Sequence, residues 1–331
     1  MIFYVNIADS FEILYRSFVM DKKKDFLTNN LIVAVLALIC CALWGSAFPT
    51  IKIGYKLFNI ASNDIGTQIL FAGSRFAIAG ILTIIIGSIA GRKILLPTKG
   101  SASSIFKLCL LQTVIQYFFF YVGLAHTTGV KGAIITGTNT LIAILAASLI
   151  YHQEKLTSKK VLGCVLGFAG VVIANLTGSG FDFDVSLMGE GFILVSATSY
   201  AFSSVYLKKF SKDHDPVMLS GYQFFLGGII LMIIGLFMGG KLETVTLSGI
   251  GMLIYLALVS AVAYSLWGIL LKHNPVSKVT VFGFMNPVIG VLLSAVLLGE
   301  GAQAFSLKNM GALALVAFGI FIVNKKSSKD I

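Results

Sequence analysis

Arg75 is the one charge set well inside an apolar run of this 331-residue chain. It lies about nine residues into the second run, roughly 13 Å along a helix at about 1.5 Å per residue. A charge at that depth is costly in lipid unless it faces a cavity or a partner. Its chemistry is therefore either contact with a substrate anion or a gate, or a structural pair with a helix-end carbonyl or carboxylate. Gln112, Gln116 and Tyr117 form a second polar group, with the two glutamines four residues apart on one helical face. Tyr264 and Trp267 fall at about the corresponding place in the eighth run. Amides and aromatics of this kind suit a pocket that is mostly apolar with a few placed polar atoms. The same aromatics also serve for helix packing or for the interfacial belt.

A dense polar stretch, TGTNT (136–140), carries Thr136 and Asn139, and its counterpart FMNPV (284–288) carries Asn286 ahead of Pro287. Proline removes a backbone donor and frees a carbonyl in the preceding turn, and bent helices with exposed backbone groups are where carriers often bind. The threonine hydroxyls can equally bond back to their own helix. Pro49 gives the first run a similar kink beside Trp44 and Ser46, and Tyr200 stands at the Trp44 position of the sixth run.

Other chemistries are excluded. His126, His152, His214 and His273 sit at or near the ends of runs, far apart, and no run holds a pair of aspartates. Cys40, Cys41, Cys109 and Cys164 lie inside apolar runs without a CxxC pair or a Cys/His cluster. No enzyme, metal site, disulfide framework or cofactor is indicated. Glu154 and Glu300, at run ends, read as structural anchors. Apart from Glu190, close to the start of the sixth run, no carboxylate lies within or near the middle of a run, so either facilitated exchange or coupling through Glu190 is expected.

The elements that must position these residues follow from composition. Hydrophobic residues make up 57% and charged residues only 12%, against about 25% charged in a soluble domain. Runs of about 18 or more apolar residues are what a bilayer core of roughly 30 Å requires of a helix. Charge-poor runs predict ten transmembrane helices in an all-α integral membrane fold, at 31–51, 66–90, 104–125, 130–150, 159–177, 187–207, 217–238, 247–271, 277–298 and 306–324. No GxxxxGK[ST] loop for ATP occurs.

The net charge of +11 does not indicate nucleic-acid binding, because Lys and Arg sit between the runs rather than along one face. Nineteen of the 25 basic residues fall on one side of the predicted topology, five on the other, and Arg75 within a span. That bias places both termini in the cytoplasm of a multi-pass plasma-membrane protein. Residues 1–30 read as a cytoplasmic tail rather than a signal peptide, since Asp9, Glu12 and Arg16 interrupt their apolar residues.

The chain also matches itself. AGSRFAIAGILTIIIG (72–87) aligns without a gap on SGYQFFLGGIILMIIG (220–235), which sets Arg75 on Gln223. AASLIYHQE (146–154) aligns on LLSAVLLGE (292–300), and GVVIAN (170–175) on GIFIVN (319–324). The halves are 31–177 and 187–326. Five spans is an odd number, so the second copy must be inverted relative to the first, a common plan for secondary transporters with a site near the midplane. Gly163 and Gly167 form GxxxG, which with Gly311 and Gly319 supports the bundle or a homodimer contact.

These residues resemble a known family. LWGSAFPTIKIG (43–54), SRFAIAG (74–80), QEKLTSKKVLGCVLGFAGVVI (153–173) and GEGFILVSATSYAFSSVYLKK (189–209) look like an EamA-type carrier of the drug/metabolite transporter superfamily. The resemblance implies a ten-helix carrier working by alternating access on amino acids, other metabolites or drug-like compounds, often outward. Gln223 in place of a second arginine, and an insertion after Glu300, leave the small-molecule substrate open. The candidate lining is Trp44, Arg75, Gln112, Gln116, Tyr117, Thr136, Asn139, Tyr200, Gln223, Tyr264, Trp267 and Asn286. The rival reading is a non-transporting scaffold or subunit of a larger complex in the lipid bilayer, which needs no polar interior.

Overall fold

The computed structural model describes residues 25–127, 129–175, 186–297 and 307–325. The tail up to residue 24, the 176–185 connection and Glu300 lie outside the described residues. Ten long helices are formed, and no strand occurs among the described residues. In the first half they are α1 (Asn30–Leu57), α2 (Ile65–Ala90), α3 (Ala102–Ala125), α4 (Gly129–Leu145) and α5 (Ser158–Asn175). The second half holds α6 (Phe192–Phe210), α7 (Pro216–Phe237), α8 (Leu247–His273), α9 and α10 (Leu307–Asn324). Helix α9 is segmented into Val276–Thr280, a 3-10 stretch Val281–Phe284, and Met285–Leu297. By length and composition α1, α2, α3, α7 and α8 are each able to cross a membrane.

Polar caps decide where several helices begin. Asn29 Oδ1 accepts from the Leu31 and Ile32 N–H groups, Asp64 from Thr67, and Asp215 from Val217 and Met218, with Pro216 in the first turn of α7. Such caps satisfy N–H groups that have no intrahelical partner. The first helix departs from its predicted end. Lys52 and Lys56 are exposed, yet α1 runs past both to Leu57. At 28 residues it is about 42 Å long, longer than a core of about 30 Å, so its last turns need backbone bonds and not apolar side chains.

The two halves pack as an inverted pair. α2 and α7 lie against each other with glycines at the contact: a Cβ on Gly73 would sit 2.8 Å from Gly228 O, and one on Gly80 2.7 Å from Gly221 O. The repeat that sets Gly73 on Gly221 also sets Gly80 on Gly228, so exchanging the halves maps one contact onto the other. Early positions of α2 meet late positions of α7, which makes the pair antiparallel. α1 packs on α8 and α9 just as α6 packs on α3 and α4. α5 and α10 pair through Gly163 and Gly319, whose added Cβ atoms would lie 2.7 and 2.5 Å from each other's carbonyl oxygen. Gly163 is thus used inside the chain, where small residues let helix backbones approach.

Connections alternate between two ends. At one end Asn274 Nδ2 donates to Leu27 O, Lys278 Nζ to Thr28 O, and Lys208 Nζ to Leu271 O. Glu154 there accepts from Ser277 N and Ser277 Oγ at 3.0 and 2.8 Å and pairs with Lys160 at 3.4 Å. At the other end Gln68 Nε2 donates to Ala61 O, Lys241 N to Thr67 Oγ1, and Thr127 Oγ1 to Glu190.

Candidate functional site

The site is built where α1 crosses the second half. Trp44, on the α1 turn before Pro49, packs edge-on against Tyr264 and Trp267 of α8, each with ring centroids 5.0 Å away, and against Tyr200 of α6 at 6.5 Å. Gly45 brings α1 close to α9, since a Cβ there would lie 2.7 Å from Ile289 Cγ2. The thiols of Cys40 and Cys41 donate to Ala263 O and Phe282 O, which fixes α1 against α8 and α9. Tyr264 extends the cluster: its ring meets Phe224 at 4.8 Å, and its hydroxyl lies 2.9 Å from that of Tyr117 on α3. Phe76 and Phe224, repeat partners, stack at 5.3 Å beneath them.

Arg75 stands beside this cluster, 2% exposed. Its Nε donates to Leu256 O at 3.2 Å and a terminal nitrogen to Ser260 Oγ at 2.8 Å, both on α8 of the opposite half. Its guanidinium also lies over the Phe76 ring, 5.1 Å from the centroid. Gln223 makes the equivalent link from α7 to α3. Its Nε2 donates to Gln112 Oε1 at 3.1 Å, and its Oε1 accepts from Thr113 Oγ1 at 2.7 Å. The register that pairs Arg75 with Gln223 also pairs Gln112 with Ser260 and Gln116 with Tyr264, so the two links are one contact repeated with different side chains.

A π-helical stretch, Cys109–Ile115, shapes α3 here. Within and just after this wider turn, Gln112 is buried in the Gln223 bond and Gln116 is half-buried. Leu111 O accepts from Ser199 Oγ of α6 at 2.7 Å.

On the other flank of Trp267 is a small cavity lined by Asn139, Thr140, Tyr200, Thr280, Gly283 and Asn286. At about 10 Å³ it has room for about one water. The 3-10 stretch of α9 lies ahead of Asn286 and Pro287, where the proline ring collides with the carbonyl four residues earlier and leaves it without a helical donor. Thr140 Oγ1 reaches Thr280 O across the cavity at 3.2 Å. Thr136 instead bonds Gly132 O of its own helix at 2.7 Å and does not line the cavity.

Of the twelve candidates, Trp44, Tyr117, Tyr200, Tyr264 and Trp267 join one cluster, Arg75 adjoins it, and Asn139 and Asn286 line the adjoining cavity. Gln112 and Gln223 lie in a separate buried bond. Thr113, Thr140, Ser260 and Thr280 complete these contacts and were not singled out from sequence. Continuing the repeat register into α8 would have marked Ser260. Glu190 is 8% exposed, accepts from Ser186 N at 2.8 Å and from Thr127, and holds the entry to α6 against the start of α4.

Residues 31–176 and 187–325 match the EamA-like transporter family, one copy in each half. The chain belongs to that family. Among its relatives are the uncharacterized transporter YvbV of Bacillus subtilis, 28% identical over 298 residues covering 89% of this chain and 92% of the relative. The uncharacterized inner membrane transporter YedA of Escherichia coli K12 is 28% identical, covering 85% and 87%. A solved protein structure superposes with a TM-score of 0.71 at 19% identity, over 88% of this chain and 95% of that one, which shows the fold. As an EamA-family protein the chain is a multi-pass cell-membrane transporter and not an enzyme.

Proposed function

We propose that this EamA-family protein is a secondary carrier that exports a small metabolite, amino acid or drug-like compound by alternating access, with both termini in the cytoplasm. The observation that carries the reading is the exchange symmetry of its contacts. α1 packs on α8 and α9 as α6 packs on α3 and α4, so each end of the path is closed by equivalent helices with different side chains. A fold whose halves can trade conformations opens one end as it closes the other. The aromatic cluster and the Asn139–Asn286 cavity stand between the halves, where such a path needs polar groups. A scaffold gains nothing from a buried Arg75 or from unpaired indole N–H groups. The bias of Lys and Arg toward the Glu154–Lys278 end supports a cytoplasmic position for that end.

The test is flux through purified protein in liposomes, screened with labelled amino acids, nucleobases and cationic dyes. A carrier gives saturable uptake that accelerates when the same solute is loaded inside. A scaffold gives no flux, and a channel gives flux without that acceleration.

A further inference from the structure

The aromatic cluster holds unpaired hydrogen-bonding groups together with one positive charge that has no counter-charge. The indole Nε1–H groups of Trp44 and Trp267 are buried and have no acceptor. On the Phe76 side of the cluster, 5.1 Å from that ring's centroid, Arg75 holds a positive charge bound by one carbonyl and one hydroxyl, both neutral. Every carboxylate among the described residues sits in a connection, a cap or the first turn of a helix entry. A buried charge with no counter-charge is costly, and so is a buried donor with no acceptor. The unpaired acceptors nearby, Gln116 Oε1 and Asn286 Oδ1, carry no charge. They suit a hydroxyl or amide elsewhere on the same ligand.

We infer that the cluster is the binding site for an organic anion. Its carboxylate-like head is met by Arg75 and the two indole N–H groups, and its apolar body lies among the rings of Trp44, Tyr200 and Tyr264. An organic cation of the same shape is rejected, because it would bring a second positive charge beside Arg75 in a medium of low dielectric. The cavity present has room for about one water, so a ring-sized body enters only by displacing the indoles. This inference rests on the transport reading for the passage of the bound anion across the membrane, and not for binding itself.

The chain has two tryptophans, and both are in the site. Intrinsic fluorescence therefore reports its occupancy directly. Cyclohexanecarboxylate and cyclohexylammonium share a ring, carry opposite charges at neutral pH and do not absorb with indole. Titrated into purified protein, the carboxylate should shift tryptophan emission saturably, at a concentration at least about tenfold below any response to the ammonium. Arg75→Gln should lose at least about tenfold of that affinity and Arg75→Lys should keep part of it, while Lys241→Gln at the bundle end leaves it unchanged. Trp267→Phe, which keeps a ring and removes one N–H, should weaken carboxylate binding and spare any cation response, which keeps the test decisive if the arginine variants do not fold.

Equal or tighter binding of the ammonium, no saturable response to the carboxylate, or wild-type carboxylate affinity in a folded Arg75→Gln overturns the inference. Carboxylate binding by a protein that moves no solute across liposomes overturns the transport reading and leaves the site. Transport confined to cations does the reverse.

Discussion

Arg75 and Gln223 occupy the same place in the two halves and reach the same place on the opposite half, yet one carries a charge and the other an amide. The Arg75 link to Ser260 and Leu256 leaves a charge to be answered, whereas the Gln223 link to Gln112 and Thr113 is neutral throughout. The depth of Arg75 was legible, because counting from the start of a run fixes depth on a helix. Its partner was not, because Ser260 is an ordinary small residue on a helix 185 positions away. Glu154 was legible as an anchor and its target was not. It caps the start of α9 by accepting from Ser277 N and Oγ. Glu154→Ala should destabilise the fold by about 1.5–3 kcal/mol, the range for hydrogen bonds to a charged group, and Glu154→Gln by less. Thermal unfolding in detergent measures both, and an unchanged midpoint in the alanine variant would show that the bond contributes nothing.

Helices were readable as elements because hydropathy marks length, and all ten fall within the predicted runs or extend them by a turn or two. Their irregularities were only half readable. Pro287 announced the distortion in α9, but the π-helical stretch in α3 has no composition or period that marks it. It is settled by what α6 and α7 offer across the interface, such as Ser199 for Leu111 O. The glycines of α2 and α7 looked like aligned repeat positions, and the structure makes them points of backbone contact. A Cβ on Gly228 would fall 2.2 Å from Ala77 N and 2.8 Å from Gly73 O. Gly228→Ala should therefore cost at least about 3 kcal/mol, the upper end of overpacking, because backbone and not a flexible side chain must give way. Gly311→Ala, with nothing within 4 Å of the added carbon, should leave stability unchanged. Monodisperse yield and unfolding midpoint of the two variants distinguish a tight crossing from a repeat without mechanical role.

For the whole molecule, topology and charge decide what the carrier can couple to. The four native cysteines are buried and free, so removing them gives a background for single reporters. With the basic end in the cytoplasm, a cysteine at Asn63 should react with an impermeant reagent outside intact cells and one at Lys155 should not. Labelling of both would sink the inverted arrangement. If the cargo is an anion, the same orientation supplies an energy source. An outward-moving monoanion gains roughly 2.3 kcal/mol per 100 mV of inside-negative potential, which sustains a gradient of about fiftyfold. A proton relay would need a carboxylate on the path. Glu190, the carboxylate that the sequence offered for such a relay, is engaged as a cap by Ser186 N and Thr127. Efflux of cyclohexanesulfonate, which stays charged at any accessible pH, should then speed up as a potassium–valinomycin potential is made more negative inside, and should ignore an imposed pH gradient. Flux driven by the pH gradient and indifferent to potential would reject this coupling, and its loss in Glu190→Gln would assign the proton to that cap instead.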